Sequence, residues 1–319
     1  MVRFNVRAAS GRGATLVGAG LAVLADRVVG EPPACVHPVA AFGRLMTAVE
    51  RHAYRDDRAA GVAYAVGGTL AAAAVGGGLR RLGGRAGATF VAAEAAVAGR
   101  MLADAALDVG ASLTAHDLET ARARLPALVG RDAAELDEAG VARAAVESVA
   151  ENTVDAVVAP ALWAAALGAP GVLAYRAINT LDAMVGHRSA RYERFGWAAA
   201  RLDDAANWIP ARATALAVMA LRPRRAAAVW HAVRCDAPVH PSPNAGVAEA
   251  AFAGALGVRL GGRNRYGDRV EDRGQLGTGR TVVCEDIDQA IRLSRHVSLA
   301  VAGALIAASV IAGLLPSWR

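Results

Sequence analysis

Two long stretches without a charged side chain constrain this chain more than any other feature of its sequence. Residues 59–79 and residues 297–315 contain no Asp, Glu, Lys or Arg, and arginines flank both stretches. A hydrocarbon core of about 30 Å requires roughly 20 helical residues at about 1.5 Å per residue. We therefore predict a transmembrane helix over each stretch and an all-α, polytopic integral membrane protein.

Weaker apolar segments extend this prediction. Residues 13–25 follow three arginines and predict a further, uncleaved span, because no clear small-residue cleavage motif precedes Asp26. Three other segments each hold one charged residue and are interpreted as spans, re-entrant segments or buried helices: 86–99, 153–175 and 205–221. A charge at the centre of a span is costly, so we expect these charges to face a polar interior.

The composition limits the chemistry that the chain can support. All 35 basic residues are arginine, and the formal net charge is +6. The missing lysine excludes a phosphate-binding loop of the lysine type and a Schiff base. The arginines are dispersed among acids, so no nucleic acid is expected as a partner. The three cysteines, Cys35, Cys235 and Cys284, lack zinc-ligand spacing and are interpreted as free thiols.

The chain is predicted to form a single membrane-embedded domain over residues 1–319. The longest soluble helical segment is expected at 104–150. Polar loops are expected at 26–58, 179–207 and 242–285. Sustained period-2 alternation is absent, so 269–271 and 280–284 are at most short strands.

A first group of polar residues lies in the segment Glu-Ser-Val-Ala-Glu-Asn-Thr-Val-Asp. Glu147, Glu151 and Asp155 are spaced i, i+4, i+8, so a helix would stack their carboxylates on one face. Together with Asn152 they form a candidate Mg²⁺ or amine site, because hard cations prefer oxygen ligands. The alternative is a solvated helix face.

A second group lies between residues 176 and 212, beside an apolar segment. Arginines bind phosphate or carboxylate oxygens, and paired aspartates bind Mg²⁺ that bridges phosphates. The alternative is a loop with ordinary salt bridges. The candidate residues are Asn179, Asp182, Arg188, Arg191, Tyr192, Arg201, Asp203, Asp204, Asn207 and Arg212.

A third group combines a turn with a helix start. Ser242 and Asn244 lie in Ser-Pro-Asn-Ala-Gly, where backbone N–H groups could face an anion, and Glu249 follows. The alternative is a simple helix cap. His37 lies in a rigid proline-containing loop and is either structural or a binding residue.

These segments together resemble the adenosylcobinamide-phosphate synthases of cobalamin biosynthesis, the CobD/CbiB family of integral membrane proteins. The resemblance runs in order from about residue 20 to 275. The matching stretches are 26–33, 37–39, 43–44, 147–153, 174–186, 191–192, 195–197, 201–204, 207, 209–212, 242–246 and 249–251.

The resemblance implies a carbon–nitrogen ligase that joins adenosylcobyric acid, a corrinoid, to (R)-1-amino-2-propanol or its O-phosphate with ATP and Mg²⁺. On this basis Glu147, Glu151, Asp155, Asp203 and Asp204 are candidates for amine deprotonation or metal binding, and Asp203 and Asp204 are the candidate Mg²⁺ ligands. The other candidate residues would bind phosphates or corrin carboxamides. They are His37, Asn152, Asn179, Asp182, Arg188, Arg191, Tyr192, Arg201, Asn207, Arg212, Ser242, Asn244 and Glu249.

The resemblance also implies a multi-pass protein of the cell (inner) membrane, in contact with the lipid bilayer, with its active-site segments facing the cytosol. Other corrinoid enzymes and a second copy of the chain are further candidate partners. A membrane transporter and a regulatory or scaffold protein are the alternative functions. Polar residues inside apolar segments are also typical of transport pathways.

Overall fold

A computed structural model describes residues 11–31, 37–187, 189–266 and 269–314 of the chain. The predictions on Cys35 and Arg188 lie outside the described residues, as does residue 315 of the predicted span 297–315. The described chain is largely helical, which confirms the all-α prediction. The helices are α1 (Gly11–Val29), α2 (Pro38–Ala53), α3 (Arg58–Glu94), α4 (Gly99–Thr114), α5 (Leu118–Arg124), α6 (Glu138–Thr153), α7 (Ala159–Leu167), α8 (Ala169–Leu181), α9 (Trp197–Leu221), α10 (Ala226–His231), α11 (Ala245–Leu256) and α12 (Glu285–Leu314).

Several of these helices are continued by a single wider or tighter turn. Short 3₁₀ turns occur at Leu125–Ala127, Pro223–Arg225 and Ala237–Val239. Turns of π-helix occur at Val154–Val158, Asp182–Gly186 and Ala232–Asp236. A π turn is rare and often marks a functional position in a helix.

One antiparallel hairpin interrupts the helical architecture. β1 (Leu260–Tyr266) pairs with β2 (Arg269–Leu276), and the register shifts between Gly261 and Arg263. A strand therefore begins at the expected position 269–271, but it extends to Leu276 and is longer than expected. The strands are rich in Arg and Gly, so backbone pairing forms a hairpin where side-chain alternation gives no signal.

The chain divides into two compact units. Unit 1 contains the described residues up to 98, residues 159–206 and those from 299 onward. In unit 1, α3 packs against α1, α7 and α8. A Cβ on Gly61 would lie 2.0 Å from the Phe195 carbonyl oxygen, so this glycine permits the close approach of α3 to the turn before α9. A cluster around Tyr64, Leu181 and Phe195 forms the core.

Unit 2 contains residues 99–158 and 207–298. Its centre is α11, whose residues 245–255 are all buried, and which packs against α6 and α10. The hairpin also contacts α11. We predicted one domain and a polar loop over 242–285. The structure instead forms two units and places α11 and the hairpin in that segment, because its Ala-rich part supplies a helix that is apolar on all sides.

Two helical stretches in the described residues are candidate membrane spans by length and composition: Arg58–Thr114 and Glu285–Gly313. They contain the predicted spans 59–79 and 86–99 and most of 297–315. Gly84, at φ 68° and ψ 178°, kinks α3 between the first two. The segment 13–25 lies in α1, and 205–221 lies in α9. The segment 153–175 contains a π turn and a break at Gly168, where φ is 71°.

Other predicted segments are more divided than expected. The predicted soluble segment 104–150 contains parts of α4 and α6 with α5 between them, and Pro126 lies in the 3₁₀ turn that follows α5. The predicted loop 26–58 holds α2, which starts with Pro38 and is capped by His37. The predicted loop 179–207 contains the first turns of α9.

Candidate functional site

A cluster of buried ionisable side chains lies in unit 2 and is called here the acid cluster. α6 contributes Glu147 and Glu151, α11 contributes Glu249, and β2 contributes Arg273. The segment before α6 adds one more arginine, and the turn before α11 adds a histidine. The members are Arg131, Glu147, Glu151, His240, Glu249 and Arg273.

Glu147 uses both of its carboxylate oxygens to join three parts of unit 2. Oε2 lies 2.6 Å from Arg131 Nη2, and Oε1 accepts a 2.7 Å hydrogen bond from the backbone N–H of Gly261. Arg143 Nε lies 3.9 Å from Oε1. Since the side chain is only 3% exposed and its oxygens are paired, Glu147 anchors the hairpin to α6.

Glu249 is fully buried, and neither carboxylate oxygen has a hydrogen-bond partner. The cationic nitrogen Arg273 Nη1 and the imidazole His240 Nε2 each lie 3.7 Å from Oε1. Burial, followed by the charges of Glu147 and Glu151, raises the pKa of Glu249 well above its usual range. A buried acceptor without a donor costs about 1–3 kcal/mol.

His240 and Glu151 complete the cluster. His240 Nδ1 lies 3.0 Å from the backbone nitrogen of Ser242 and 3.1 Å from its carbonyl oxygen, while Nε2 faces Glu249. Burial, followed by the charge of Arg273, lowers the pKa of His240 and favours a neutral ring. Burial also raises the pKa of Glu151, whereas Arg273 lowers it.

The predicted stack of three carboxylates is interrupted at its end. Glu147 and Glu151 lie on α6, but Asp155 lies in the π turn Val154–Val158. The i→i+5 pattern of that turn changes the angular position of following residues, so regular i, i+8 stacking does not apply. The Asn152 amide donates to the Ser148 carbonyl at 3.0 Å and to its hydroxyl at 3.1 Å.

A second group of polar side chains lies in unit 1. Its members are Glu31, His37, Arg176, Asn179, Asp182 and Asp203. His37 Nε2 lies 3.3 Å from Glu31 Oε2. Arg176 Nη1 donates to Asn179 Oδ1 at 3.3 Å, and Asn179 Nδ2 donates to Asp203 Oδ1 at 3.4 Å. Burial and, secondarily, the charge of Arg176 lower the pKa of His37, which keeps its ring neutral. Asp182 lies in the π turn that follows α8.

Arg191 and Tyr192 contact a carboxylate of α2. Arg191 Nη2 and the Tyr192 hydroxyl donate to Glu50 Oε1 at 3.0 and 2.8 Å. The Arg191 guanidinium also lies 3.9 Å from the centre of the Tyr54 ring. These contacts hold the turn around residues 189–196 against α2. The predicted phosphate-binding roles of Arg191 and Tyr192 stay predictions.

The remaining predicted residues lie on α9 and at the start of α11. Arg201 Nη1 pairs with Asp204 Oδ2 at 2.9 Å, and Asn207 is buried. Arg212 Nη1 donates to Asn244 Oδ1 at 2.8 Å. The Ser242 hydroxyl accepts the backbone N–H of Ala245 at 3.2 Å, so the predicted helix start at this turn is formed.

The structure adds members that the sequence analysis did not select. Glu31 and Arg176 lie inside segments that carried the family resemblance, which is a signal that could have identified them. Arg131, His240 and Arg273 are single polar residues outside any motif, and only the fold brings them to Glu147 and Glu249.

The described part of the chain holds no group of three or more His, Cys, Asp or Glu side chains that could bind a metal ion. Asp203 and Asp204 are therefore candidate ligands only for an ion that takes its other ligands from a substrate. Cys235 and Cys284 are free thiols.

The long apolar helices and the buried ionisable groups define a class of α-helical proteins in which ionisable side chains lie within an apolar interior. The chain belongs to one family of this kind, because the protein-family model described as CobD/Cbib protein matches residues 19–294. The resemblance derived from the motifs is confirmed.

Similar curated proteins support the assignment over most of the chain. The cobalamin biosynthesis protein CobD of Mycobacterium tuberculosis is 50% identical over 303 residues, covering 92% of this chain and 94% of the relative. That of Chromobacterium violaceum is 46% identical over 309 residues, covering 92% and 97%. That of Halalkalibacterium halodurans is 39% identical over 293 residues, covering 87% and 91%. No solved structure matches the chain.

Proposed function

We propose that this protein is the amide ligase of cobalamin biosynthesis that joins adenosylcobyric acid to (R)-1-amino-2-propanol or its O-phosphate. Family membership over residues 19–294 carries the proposal. The similar proteins are named cobalamin biosynthesis proteins, which fits a biosynthetic enzyme. The acid cluster supports the chemistry, because amide formation must take a proton from an amine.

The reaction needs an activated acyl group. A carboxylate does not acylate an amine unaided, so ATP would transfer its γ-phosphoryl group to the corrinoid carboxylate and leave ADP. The amine nitrogen would then attack the acyl phosphate, expelling phosphate and losing one proton. Because the chain contains no lysine, arginines such as Arg176 and Arg201 would hold the phosphates.

Asp203 and Asp204 fit a magnesium ion carried by a nucleotide. Mg²⁺ is commonly bound by one or two carboxylates together with substrate phosphates and water. Asp204 is already paired with the largely exposed Arg201 at 2.9 Å, and Asp203 accepts the Asn179 amide. A bound ion would neutralise phosphate charge, while these side chains orient it.

The test is an assay of purified protein in detergent with adenosylcobyric acid, each amine, Mg²⁺ and ATP. Amide and ADP should form in equal amounts, and omission of ATP should abolish both. Asp204→Ala and Arg201→Ala should lower turnover at least about 100-fold with membrane insertion unchanged. Glu119→Gln, at an exposed position on α5, is the matched control.

Two results would contradict the proposal. Absence of amide with either amine would remove the ligase activity, and ATP-independent corrinoid flux into proteoliposomes would identify a transporter. Normal turnover in the Asp204→Ala and Arg201→Ala variants would remove the phosphate-binding assignment but leave the ligase activity intact.

A further inference from the structure

The acid cluster contains buried donors and acceptors that do not satisfy one another. Both oxygens of Glu249, Nε2 of His240, and Nε and Nη1 of Arg131 have no hydrogen-bond partner. Glu249 is 0% exposed, and His240 and Arg131 are each 6% exposed. The 3.7 Å separation of His240 Nε2 and Glu249 Oε1 is too long for a hydrogen bond.

The unpartnered atoms in the cluster indicate what kind of ligand would complete it. Three carboxyl groups face three guanidinium groups, Arg131, Arg143 and Arg273, and a neutral imidazole. With all carboxyls ionised these charges balance, so the choice of ligand depends on the unpartnered atoms and not on an excess charge. An inorganic anion would face the Glu249 oxygens unfavourably, and a bare cation would leave the unpartnered Arg131 donors without acceptors. A ligand that carries both an ammonium group and an oxygen acceptor satisfies both sets.

We infer that the acid cluster is the subsite for the small amino alcohol, with its ammonium group on Glu249 and its hydroxyl or phosphate oxygen on Arg131 and His240. This inference rests on the proposed function, which supplies the amine as a substrate. Glu147 keeps its anchoring role, because its oxygens are already occupied by Arg131 and Gly261. Glu151, which is half-buried, adds a second negative charge beside the ammonium group.

A proton balance follows from this geometry. Burial and the neighbouring carboxylates raise the pKa of Glu249, so the empty site holds a proton on this side chain well above the usual carboxyl range. When the ammonium group binds, the carboxylic acid becomes a carboxylate and one proton is released to the buffer. Amine affinity should therefore increase as pH rises from the ordinary carboxyl pKa toward the raised value, and decrease as pH falls.

The test is isothermal titration of the detergent-purified full chain with 1-amino-2-propanol, without ATP or corrinoid. Glu249→Gln should weaken binding by about tenfold or more, and Glu119→Gln should leave it unchanged. Propane-1,2-diol, which lacks the amine, should not bind detectably. Aminopropanol O-phosphate should bind through the same subsite, and tighter binding than aminopropanol would identify the phosphorylated amine.

The wild-type protein gives a second readout, which does not depend on a folded variant. Titrations in buffers of different ionisation enthalpy should show release of up to one proton at pH values between the ordinary carboxyl pKa and the raised pKa of Glu249. Unchanged binding in Glu249→Gln, equal binding of the diol, or amine binding without proton release each overturns the inference. If these occur while wild-type protein forms amide, only the subsite is wrong; cluster-dependent amine binding without any amide formation overturns the proposed function instead.

Discussion

Two ion pairs in unit 2 have the same length but very different surroundings. Arg131 and Glu147 approach to 2.6 Å with side chains that are 4% and 3% exposed. Arg265 and Glu135 also approach to 2.6 Å, but their side chains are 49% and 77% exposed. Water screens the second pair and compensates either charge when its partner is lost, whereas the buried charges depend on each other.

Replacement of one buried partner should therefore cost far more stability than replacement of one exposed partner. Arg131→Met should lower the free energy of unfolding by about 3–5 kcal/mol, because Glu147 is left charged and buried. Arg265→Met should cost at most about 1 kcal/mol. Chemical denaturation of the two variants in the same detergent measures the difference.

The double variant Arg131→Met, Glu147→Met separates the two causes of the loss. It should recover much of the stability lost in Arg131→Met, since no uncompensated charge remains. The backbone N–H of Gly261 would still lose its acceptor, so recovery should be incomplete. Equal costs for Arg131→Met and Arg265→Met would show that burial does not control the strength of these pairs.

At the scale of elements, α3 shows how one backbone conformation divides a long apolar helix. Gly84 has φ 68° and ψ 178°, a region that is nearly restricted to glycine, and a Cβ there would contact nothing within 4 Å. Its role is therefore conformational rather than steric. Gly77 lies in the regular part of the same helix and also has open space at its Cβ position.

Substitution of these two glycines by alanine should have opposite effects. Gly84→Ala should destabilise the protein by about 1–3 kcal/mol, because alanine is strained in that conformation. Gly77→Ala should be neutral or stabilising by up to about 1 kcal/mol, because alanine favours a helix. Thermal unfolding of both variants in detergent is the measurement, and a stabilising Gly84→Ala would show that the kink at this position is not required.

A π turn explains why residue spacing alone did not predict the relative positions of Glu147, Glu151 and Asp155. Glu147 and Glu151 follow helical spacing, but the turn Val154–Val158 begins before Asp155 and changes the angular position of this residue. Val, Asp and Ala at these positions are compatible with an ordinary α-helix, so the sequence carries no local signal for the wider turn.

At the scale of the molecule, the features that could be predicted from the sequence are those set by interactions between residues close together in the chain. The helical class and the apolar stretches 59–79 and 297–315 follow from local composition, and the family follows from local motifs. The hairpin and the division into two units were not predicted, since strands such as Arg263–Asn264–Arg265 show no alternation. Likewise, Glu249 was selected from a motif, but its neighbours Arg273 and His240 are recognisable only once distant segments have folded together.

The two candidate spans lead to a prediction about the whole chain. The protein should remain in the membrane fraction after a carbonate wash and should require detergent for extraction, because Arg58–Thr114 and Glu285–Gly313 are long and apolar. In a background without the native cysteines, Ala190→Cys and Thr278→Cys probe exposed positions in the two polar segments. Both should react with an impermeant maleimide from the cytosolic side.

The opposite results in fractionation and in cysteine labelling would contradict the predicted membrane location and orientation. Recovery of the protein in the soluble fraction would show that the apolar helices pack within protein only. Labelling from the periplasmic side alone would place these polar segments away from cytosolic ATP. Glu119→Cys, at an exposed position on α5, is the control for reactivity in the segment that is predicted to be soluble.

Unit 2 is formed by two separate stretches of the chain, 99–158 and 207–298, and this affects when it can fold during synthesis. Glu147 accepts a hydrogen bond from Gly261, 114 residues later in the chain, and residues 159–206 between them belong to unit 1. At ribosomal rates of about 5–20 residues per second, Glu147 therefore waits several seconds for this partner. During that interval α6 leaves the ribosome before α11 and the hairpin exist to cover it, so unit 2 completes its folding only after residues 207–298 have been synthesised.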